Sequence, residues 1–370
     1  MSRIQHAEIW MVPLEPKVVR VDAIQSFVCQ ETIIVRLHDA DGATGTGYSY
    51  TIGTGGSSVV ALLVDHLLPR LIGCNGDDIE GIWRDLLFHT HATSVGAITS
   101  LALAAIDTAL WDLRARRANL PLHKLAGGAK SSVPSYTTEG GWLHLSEEAL
   151  VEDALRAREA GFYGVKIKVG KPSIAEDVSR ISALRDAIGH DMELMVDCNQ
   201  AFTVAEAIRR ADAFRDFGLA WIEEPMAADD VAGHQRLAAS TAIPVAVGES
   251  IYGLGHFREY LQRDACAIMQ VDCARIGGIT PWLKAAHLAE ACNMDVAPHF
   301  LMELHVSLAC AVPNGRWVEY IPQLDDITTS RLKIVEGRAF APTTPGLGIE
   351  WEWGAIGARS VITQKVAKAA

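Results

Sequence analysis

The sequence predicts an α/β protein in which a parallel β/α barrel follows a smaller α+β domain. Two observations carry this prediction. From about residue 130 onward, short apolar runs alternate with longer amphipathic stretches at intervals of about 20 to 30 residues, whereas the first part of the chain does not keep this rhythm. A chain of 370 residues is also long enough for a large barrel with a second domain.

Eight apolar runs in the second part of the chain are candidate strands. They cover residues 133–138, 164–169, 193–199, 219–225, 244–250, 267–273, 294–300 and 316–320. Helical signals separate them. Ser173 with Glu176, and Thr203 with Glu206, have the spacing of capping boxes, and Gly189 stands where a left-handed C-terminal cap is expected.

This alternation requires parallel strands joined by right-handed crossovers, and eight such strands close into a barrel. The alternative is an open, doubly wound sheet. No GxGxxG or Walker loop follows any of the runs, so the barrel is the favoured prediction.

The N-terminal part has a different character. Residues 26–50 are typical of antiparallel strands with an Asp41-Gly42 turn, and residues 101–117 are typical of a helix. The tail at 341–353 has turn chemistry. We therefore predict an α+β domain over residues 1–127 to which residues 338–370 return, and a barrel over residues 128–337.

Composition narrows the function classes. A net charge of −12 argues against nucleic acid and anionic membranes as partners. Seven cysteines without a CxxC pair fit free thiols in a reducing compartment. The first residues lack the order of a signal peptide, and no apolar run approaches the roughly 20 residues that span a bilayer. We expect a cytoplasmic protein.

Polar side chains collect where the predicted strands end, which is the edge at which barrel enzymes place their chemistry. Every strand from the second to the eighth delivers an ionisable group there. The residues are Lys166, Lys168, Asp197, Asn199, Glu223, Glu224, Glu249, Asp272, His299 and Glu319.

Asp197, Glu223 and Glu249 end three successive strands and are predicted to bind a divalent cation. Carboxylates within about 4 Å of one another repel by roughly 4 kcal/mol per pair at an effective dielectric constant near 20, and a cation removes that penalty. Oxygen ligands favour Mg²⁺ over zinc, and a small site favours it over Ca²⁺. His89 and His91 form a rival metal pair, but without a third ligand they are better interpreted as surface histidines.

Lys166 and Lys168 are two residues apart in one strand, so their side chains share the face opposite Val165 and Ile167. A second lysine and a nearby cation should lower the pKa of one ammonium group and make it a general base, while the other holds a substrate carboxylate. His299 is a second candidate base, which Asp272 could orient.

Together these motifs resemble the enolase superfamily, in its mandelate racemase branch. The matching stretches include GVKIKVG, VDCNQ, WIEEP, VGES, QVDCARIGGIT, APHF and VEY, with the helix at 106–128. The resemblance implies a (β/α)7β modified TIM barrel with an N-terminal α+β capping domain completed by the C-terminal tail. It also implies a homo-oligomer, often an octamer.

The resemblance further implies roles for the residues at the strand ends. Lys168 is the base on one face of the substrate, and the His299–Asp272 dyad serves the other. Lys166 and Glu319 contact the substrate carboxylate or its developing oxyanion, and the three carboxylates bind Mg²⁺. Related enzymes with a lysine base after the sixth strand are set aside, because this chain has Asp272 and then Arg275 there.

Within that branch, residues 47–56 and 136–146 resemble acid-sugar dehydratases that act on diacids such as galactarate and L-talarate. The residues predicted to bind such a substrate are Lys17, Arg20, Tyr50, Asn199 and Arg275. The expected reaction removes the proton α to a carboxylate and eliminates the β-hydroxyl to give a 2-keto-3-deoxy acid. A racemase or epimerase of a 2-hydroxy acid is the alternative, and a non-catalytic binding or structural protein is a remote one.

Overall fold

The computed structural model describes residues 3–94 and 96–367. The predicted domain ranges also take in residues 1, 2, 95 and 368–370, which lie outside the described residues. Among the described residues, no helix is both long enough and apolar enough to cross a bilayer.

The N-terminal part combines antiparallel strands with a helical layer. Its strands are β1 (Ile4–Leu14), β2 (Arg20–Val21), β3 (Ser26–Phe27), β4 (Gln30–Asp39) and β5 (Thr44–Thr51). Its helices are α1 (Gly56–Leu62), α2 (Leu68–Leu71), α3 (Ile79–His89), α4 (Ala97–Arg117) and α5 (Leu122–Leu125), with a π-helical turn at Leu63–Leu67. The predicted Asp41-Gly42 turn joins β4 to β5, and Gly42 adopts the positive φ of 86° that this turn needs.

The eight parallel strands of the barrel are β6 (Ser132–Thr137), β7 (Gly164–Lys168), β8 (Glu193–Asp197), β9 (Leu219–Glu223), β10 (Val245–Val247), β11 (Ile268–Met269), β12 (Asp295–Val296) and β13 (Val318–Tyr320). The helices are α6 (Glu147–Glu159), α7 (Ile174–Ile188), α8 (Val204–Phe214), α9 (Val231–Ala238), α10 (Leu254–Gln262), α11 (Cys273–Ile276), α12 (Ile279–Ala291) and α13 (Met302–Ala311), with a 3₁₀ turn at Arg215–Phe217. The chain ends with β14 (Lys333–Val335), β15 (Arg338–Phe340), α14 (Trp353–Arg359) and β16 (Ile362–Ala367).

The strand order confirms the predicted barrel. Neighbouring strands from β6 to β12 pair in parallel, β13 pairs with β6, and a parallel bridge between Val296 and Gly315 closes the circle. Helices cross over after each of the first seven strands, which gives the (β/α)7β form. The predicted sixth and seventh strands are too long, because the chain leaves the ladder after Met269 and Val296 and turns the polar residues of these segments into the mouth.

Local signals explain where the barrel helices start and stop. Ser173 and Glu176 form the reciprocal capping box, whereas Thr203 caps α8 through the N–H of Glu206. Gly189 follows α7 at a positive φ of 68°, but its ψ of −163° lies outside the left-handed helical region that the predicted cap requires. Gly218, after the 3₁₀ turn, does adopt that region.

The C-terminal residues contact both parts of the molecule. β16 pairs with β1 and completes a four-stranded antiparallel sheet of order β16-β1-β4-β5, whereas β15 pairs antiparallel with β6 of the barrel. The domain boundary at residue 338 therefore stays a prediction.

Helix α4 joins the N-terminal part to the barrel. It packs so closely on β5 that a Cβ added at Gly45 or Gly47 would lie 2.3 Å from the backbone of Ala109. From its other side, the buried carboxylate of Asp107 accepts hydrogen bonds from the N–H of Thr280 at 2.9 Å and its hydroxyl at 2.7 Å. Asp107 thus caps the first turn of barrel helix α12 from another part of the chain.

We predict that Asp107→Ala destabilises the protein by about 2 kcal/mol, because the substitution leaves two buried donors of Thr280 without an acceptor. A fall in the melting temperature checks this. Asp107→Asn keeps an acceptor and should lose less, and Asp191→Ala, at an exposed carboxylate, is the control. If Asp107→Ala and Asp191→Ala had the same melting temperature, the capping role of Asp107 would be contradicted.

Candidate active site

The two lysines of β7 lie side by side at the mouth of the barrel, both buried. Val165 and Ile167 point to the other side of the strand, into the core beneath the helices. Lys168 is paired in register with Asp197, and Asp197 with Glu223, so these three residues form one layer of the sheet. The side-chain alternation predicted from the sequence is therefore present.

Asp197, Glu223 and Glu249 converge as predicted. Each offers a carboxylate oxygen, and the three oxygens lie within 4.8 Å of one another. Asp197 and Glu223 are fully buried, while Glu249 is partly exposed toward the mouth. A buried, all-oxygen donor set with one side open to a cavity fits a small, hard dication and leaves room for substrate oxygens.

The lysines balance much of the negative charge in this cluster. The Nζ of Lys168 lies 2.5 Å from Oδ2 of Asp197. The Nζ of Lys166 lies 2.7 Å from Glu223 and 3.0 Å from Glu319. Burial raises the pKa of Glu223 to about 7, with the Asp197 charge adding to the effect and Lys166 opposing it.

The sequence predicted that the pKa of one lysine is lowered. This prediction is wrong when only the charges of the protein are considered. Burial is the largest single influence on Lys168 and disfavours its ammonium form, but the carboxylates of Asp197, Glu249 and Glu223 together outweigh it and raise the pKa. The pKa of Lys166 is raised well above its usual value, since Glu223 and Glu319 outweigh its burial. The neighbouring lysine is visible in the sequence, whereas these direct carboxylate partners come from other strands. A cation held by Asp197 would compete with Lys168 for the charge of that carboxylate.

Two side chains that the sequence argument missed fix the orientation of Glu223. Oε2 of Glu223 accepts hydrogen bonds from Nε2 of Gln270 at 2.6 Å and from Nε1 of Trp221 at 2.9 Å. Gln270 precedes Asp272, and Trp221 precedes Glu223, by two residues. The same alternation that found the acidic residues could have found these supports.

His299 and Asp272 form the predicted dyad. Nδ1 of His299 lies 2.9 Å from Oδ2 of Asp272, and Nε2 lies 3.1 Å from Oε2 of Glu249. Since a carboxylate only accepts, Nδ1 carries a proton toward Asp272, and Nε2 is the nitrogen that gains or loses a proton beside Glu249. Burial lowers the pKa of His299, but Glu249 and Asp272 outweigh it, so the net shift is upward. Burial alone would raise the pKa of Asp272, yet His299 and Arg275 lower it to about 2.

Tyr50 reaches this dyad from the N-terminal sheet. Its hydroxyl donates to Oδ2 of Asp272 at 2.8 Å and accepts from Nε of Arg275 at 3.2 Å. Tyr50 was predicted to bind substrate. The structure instead places it behind the dyad, with its side chain buried.

Glu319 lies in the eighth strand, and both of its carboxylate oxygens accept hydrogen bonds. Oε1 accepts from the Thr138 hydroxyl at 2.6 Å, and Oε2 accepts from the N–H of Phe300 at 3.0 Å. Burial opposes ionisation, but Lys166 and His299 outweigh it and lower the pKa of Glu319 strongly. Glu319 is therefore an anion that ties the first, second and seventh strands together at the rim. Thr138 was missed because a hydroxyl at a strand end gives no distinctive signal.

A cavity of about 130 Å³ opens above these residues. Among the predicted site residues, those that line it are Arg20, Lys166, Lys168, Asn199, Glu249, Arg275, His299 and Glu319. Asp22, Gln25 and Trp142 add to the lining. Apolar side chains complete the lining, namely Ile24, Phe27, Ile52, Phe300 and Ile321. The cavity thus combines charged and apolar walls, and both predicted bases line it.

The structure does not bring Lys17 to this cavity. Its ammonium group is exposed and lies 3.2 Å from Asp325 and 3.8 Å from Asp326. It lines a neighbouring cavity, which Arg20 and Glu139 separate from the barrel mouth. His89 and His91, the rival metal pair, are exposed on the surface around α3.

Comparison with known proteins gives the family. The mandelate racemase / muconate lactonizing enzyme N-terminal domain matches residues 7–127, and the enolase C-terminal domain-like family matches residues 149–355. L-talarate/galactarate dehydratase of Salmonella typhimurium is 37% identical over 316 residues, covering 85% of this chain and 79% of that protein. The 3,6-anhydro-alpha-L-galactonate cycloisomerase of Streptomyces coelicolor is 37% identical over 90% of this chain and 92% of that protein.

A solved structure agrees with these relatives. The structure of L-talarate dehydratase from Polaromonas sp. JS666, complexed with Mg and L-glucarate, superposes with a TM-score of 0.93 at 36% identity and covers 100% of both chains. The fold, the two family matches and the sequence relatives point the same way. The chain belongs to the enolase superfamily, in its mandelate racemase branch.

Proposed function

We propose that the protein is a Mg²⁺-dependent acid-sugar dehydratase acting on a six-carbon diacid such as galactarate or L-talarate. The observation that carries the proposal is the placement of Lys168 at the end of β7 and of His299 after β12, across the barrel mouth from one another, with three convergent carboxylates beside them. The named activity of the Salmonella relative and the Mg-bound Polaromonas structure support the same reading.

Asp197, Glu223 and Glu249 would hold the Mg²⁺. When bound, the ion supplies positive charge that stabilises an enediolate formed from the substrate carboxylate. Gln270 and Trp221 keep Glu223 in its orientation. This support matters because groups behind a ligand tune metal affinity.

Lys168 and His299 would carry the protons. The Nζ of Lys168 and the Nε2 of His299 both reach the cavity, so a substrate between them meets a base or an acid on either face. Asp272 holds the His299 ring and stabilises its protonated form. Lys166 and Glu319 sit between these groups, where the Lys166 ammonium can hold the substrate carboxylate and its developing charge.

The proposed reaction has two steps, removal of the α-proton and loss of the β-hydroxyl. One base takes the α-proton, and the electron pair of the C–H bond moves into the enediolate. The enediolate expels the β-hydroxyl, which leaves as water after taking a proton from the acid on its side. The resulting enol tautomerises to a 2-keto-3-deoxy acid.

The lining of the cavity supports a polar, anionic substrate. Arg20, Asn199 and Arg275 present donors at the mouth, and we assign them to substrate binding. Arg275 lies with Nη1 2.8 Å from the Glu249 carbonyl, and Arg20 pairs with Glu139. These two guanidinium groups are the candidates for the distal carboxylate of a diacid.

A second activity follows from the same proton transfer without loss of water. The Streptomyces relative is a cycloisomerase at the same 37% identity, which favours an isomerase as the alternative. A racemase or epimerase would use Lys168 and His299 in the same way. The β-hydroxyl distinguishes the two reactions, because the dehydratase eliminates it and the racemase or epimerase retains it.

Three broader assignments accompany this function. We propose that the protein acts as a homo-oligomer in the cytoplasm on a small-molecule acid sugar. We also propose that residues 1–127 with 338–370 form the capping domain of a barrel at 128–337. The contacts of Tyr50 with the dyad and of β16 with β1 support a cap closed over the mouth.

Proton NMR in D₂O with Mg²⁺ and a panel of mono- and diacid sugars tests the activity. A 2-keto-3-deoxy product from a diacid is the expected result. Deuterium at the α-carbon with the hydroxyl retained would replace the proposal with an epimerase, and a cyclic product would replace it with a cycloisomerase. No exchange with any acid would overturn it.

Substitution of either base should abolish exchange on one face only. Lys168→Ala and His299→Asn are each expected to slow α-deuteration of one substrate epimer by about 100-fold or more. Lys284→Ala and His287→Asn, at exposed side chains of α12, are the matched controls. Full exchange of both epimers by either active-site variant would remove that residue from its role.

Glu249→Gln should weaken Mg²⁺ binding at least about 10-fold, because it removes one anionic oxygen from the donor set. Titration calorimetry measures this directly. Glu303→Gln changes another buried carboxyl outside the three-carboxylate cluster and should leave Mg²⁺ affinity unchanged. Equal affinities for the two variants would contradict the assigned ligand set.

A further inference from the structure

A second histidine, His305, lies in α13 behind the dyad. Its side chain is fully buried, and it does not line the cavity. The proposed reaction gives it no part. Its position is informative because each of its two hydrogen-bond partners is the residue that directly follows a dyad member.

The imidazole of His305 joins the two loops that carry the dyad. Nε2 accepts the backbone N–H of Cys273 at 3.1 Å, and Nδ1 lies 3.0 Å from the carbonyl oxygen of Phe300. Since an N–H only donates and a carbonyl only accepts, both partners select the neutral tautomer with the proton on Nδ1. Cys273 follows Asp272, and Phe300 follows His299.

A tryptophan braces the other side of Asp272. Trp282 stacks on the His305 ring, with ring centroids 6.4 Å apart, and its Nε1 donates to the carbonyl of Val271 at 2.9 Å. The backbone is therefore held at Val271 and at Cys273, one residue before and one after Asp272. This arrangement fixes the direction in which the carboxylate projects.

The backbone after His299 is strained and needs such support. Phe300 and Leu301 have φ values of 61° and 30°, in the left-handed region that is unfavourable for residues other than glycine. Glu319 holds the N–H of Phe300, and His305 holds its carbonyl. Two side chains thus stabilise the turn that presents His299.

The sheet itself does not supply this link. β11 and β12 pair only over Ile268–Met269 and Asp295–Val296. In the described part of the chain, the ladder ends with the hydrogen bond from Ala297 N–H to the Met269 carbonyl at 3.0 Å. Asp272 and His299 lie beyond that point, where the side chain of His305 replaces main-chain pairing.

We propose that His305 is a positioning residue that sets the distance and angle between Asp272 and His299 by bridging the backbones of Cys273 and Phe300. The role of the dyad in proton transfer rests on the proposed function, whereas the bridge itself does not. Burial lowers the pKa of His305 to about 4, so the imidazole keeps its neutral, bridging form throughout the neutral range.

Two substitutions separate positioning from simple stability. His305→Phe removes both hydrogen bonds, and His305→Gln can keep an acceptor for Cys273. We expect His305→Phe to lower kcat about 100-fold for α-proton exchange on the His299 face. KM and exchange on the Lys168 face should change less than 3-fold, and His305→Gln should recover part of the loss. If His305→Phe does not fold, the exchange rates of His305→Gln on the two faces of the substrate test the proposal.

His234→Phe is the matched control, because His234 is also fully buried and has its Nδ1 2.9 Å from a helix carbonyl, that of Asp230. This substitution should lower the melting temperature and should not slow α-proton exchange on one face of the substrate more than on the other. Equal losses on both faces in the His305 variants, or the same pattern in His234→Phe, would overturn the proposal.

Crystal structures of the wild type and the His305 variants with Mg²⁺ give a readout that needs no activity. The bond between Nδ1 of His299 and Oδ2 of Asp272, 2.9 Å here, should be lost in His305→Phe. An unmoved dyad overturns the bridging role even if the enzyme is a dehydratase. If the dyad is displaced in the variant while the wild type exchanges no acid sugar, the bridge is supported and the proposed function is refuted.

Discussion

The site depends on a charge balance inside the barrel mouth. Two ammonium groups and the carboxylates of Asp197, Glu223 and Glu319 are almost completely buried, and none of them could stay ionised there alone. Lys166 lies between Glu223 and Glu319, and Lys168 lies against Asp197. The parallel register of β7, β8 and β9 creates these contacts, since it places the charged residues in one layer. Removing one member would leave an uncompensated charge on its neighbours.

This balance also explains why the N-terminal part must close over the barrel. Low dielectric strengthens every interaction in the mouth, and the cap limits the access of water. Tyr50 extends the hydrogen-bond network of Asp272 into the N-terminal sheet, and Arg20 brings a guanidinium to the edge of the cavity. Asp107 fixes the same part of the chain to α12. The contacts between the N-terminal part and the barrel are thus also contacts of the site.

The sequence predicted the parts of the site that depend on short-range periodicity. Alternation along β7 placed both lysines on one face, and strand ends at regular intervals placed Asp197, Glu223 and Glu249 together. It failed where partners come from distant segments. The direct ion pairs reversed the expected lysine pKa shift, and Asp325 and Asp326 draw Lys17 away from the mouth. His305 carries no signal in its own helix because both of its partners are backbone groups.

Two histidines six residues apart illustrate how partners decide a side chain's role. Both are buried, which alone lowers the pKa of an imidazole. Carboxylates face His299 on both nitrogens, so its pKa rises and the ring can take and release a proton. Burial lowers the pKa of His305, and its partners are a backbone donor and a backbone acceptor, so the ring stays neutral and bridges the two backbones. The barrel therefore uses the same residue type twice. His299 exchanges protons, and the neighbouring His305 holds the backbone that carries it.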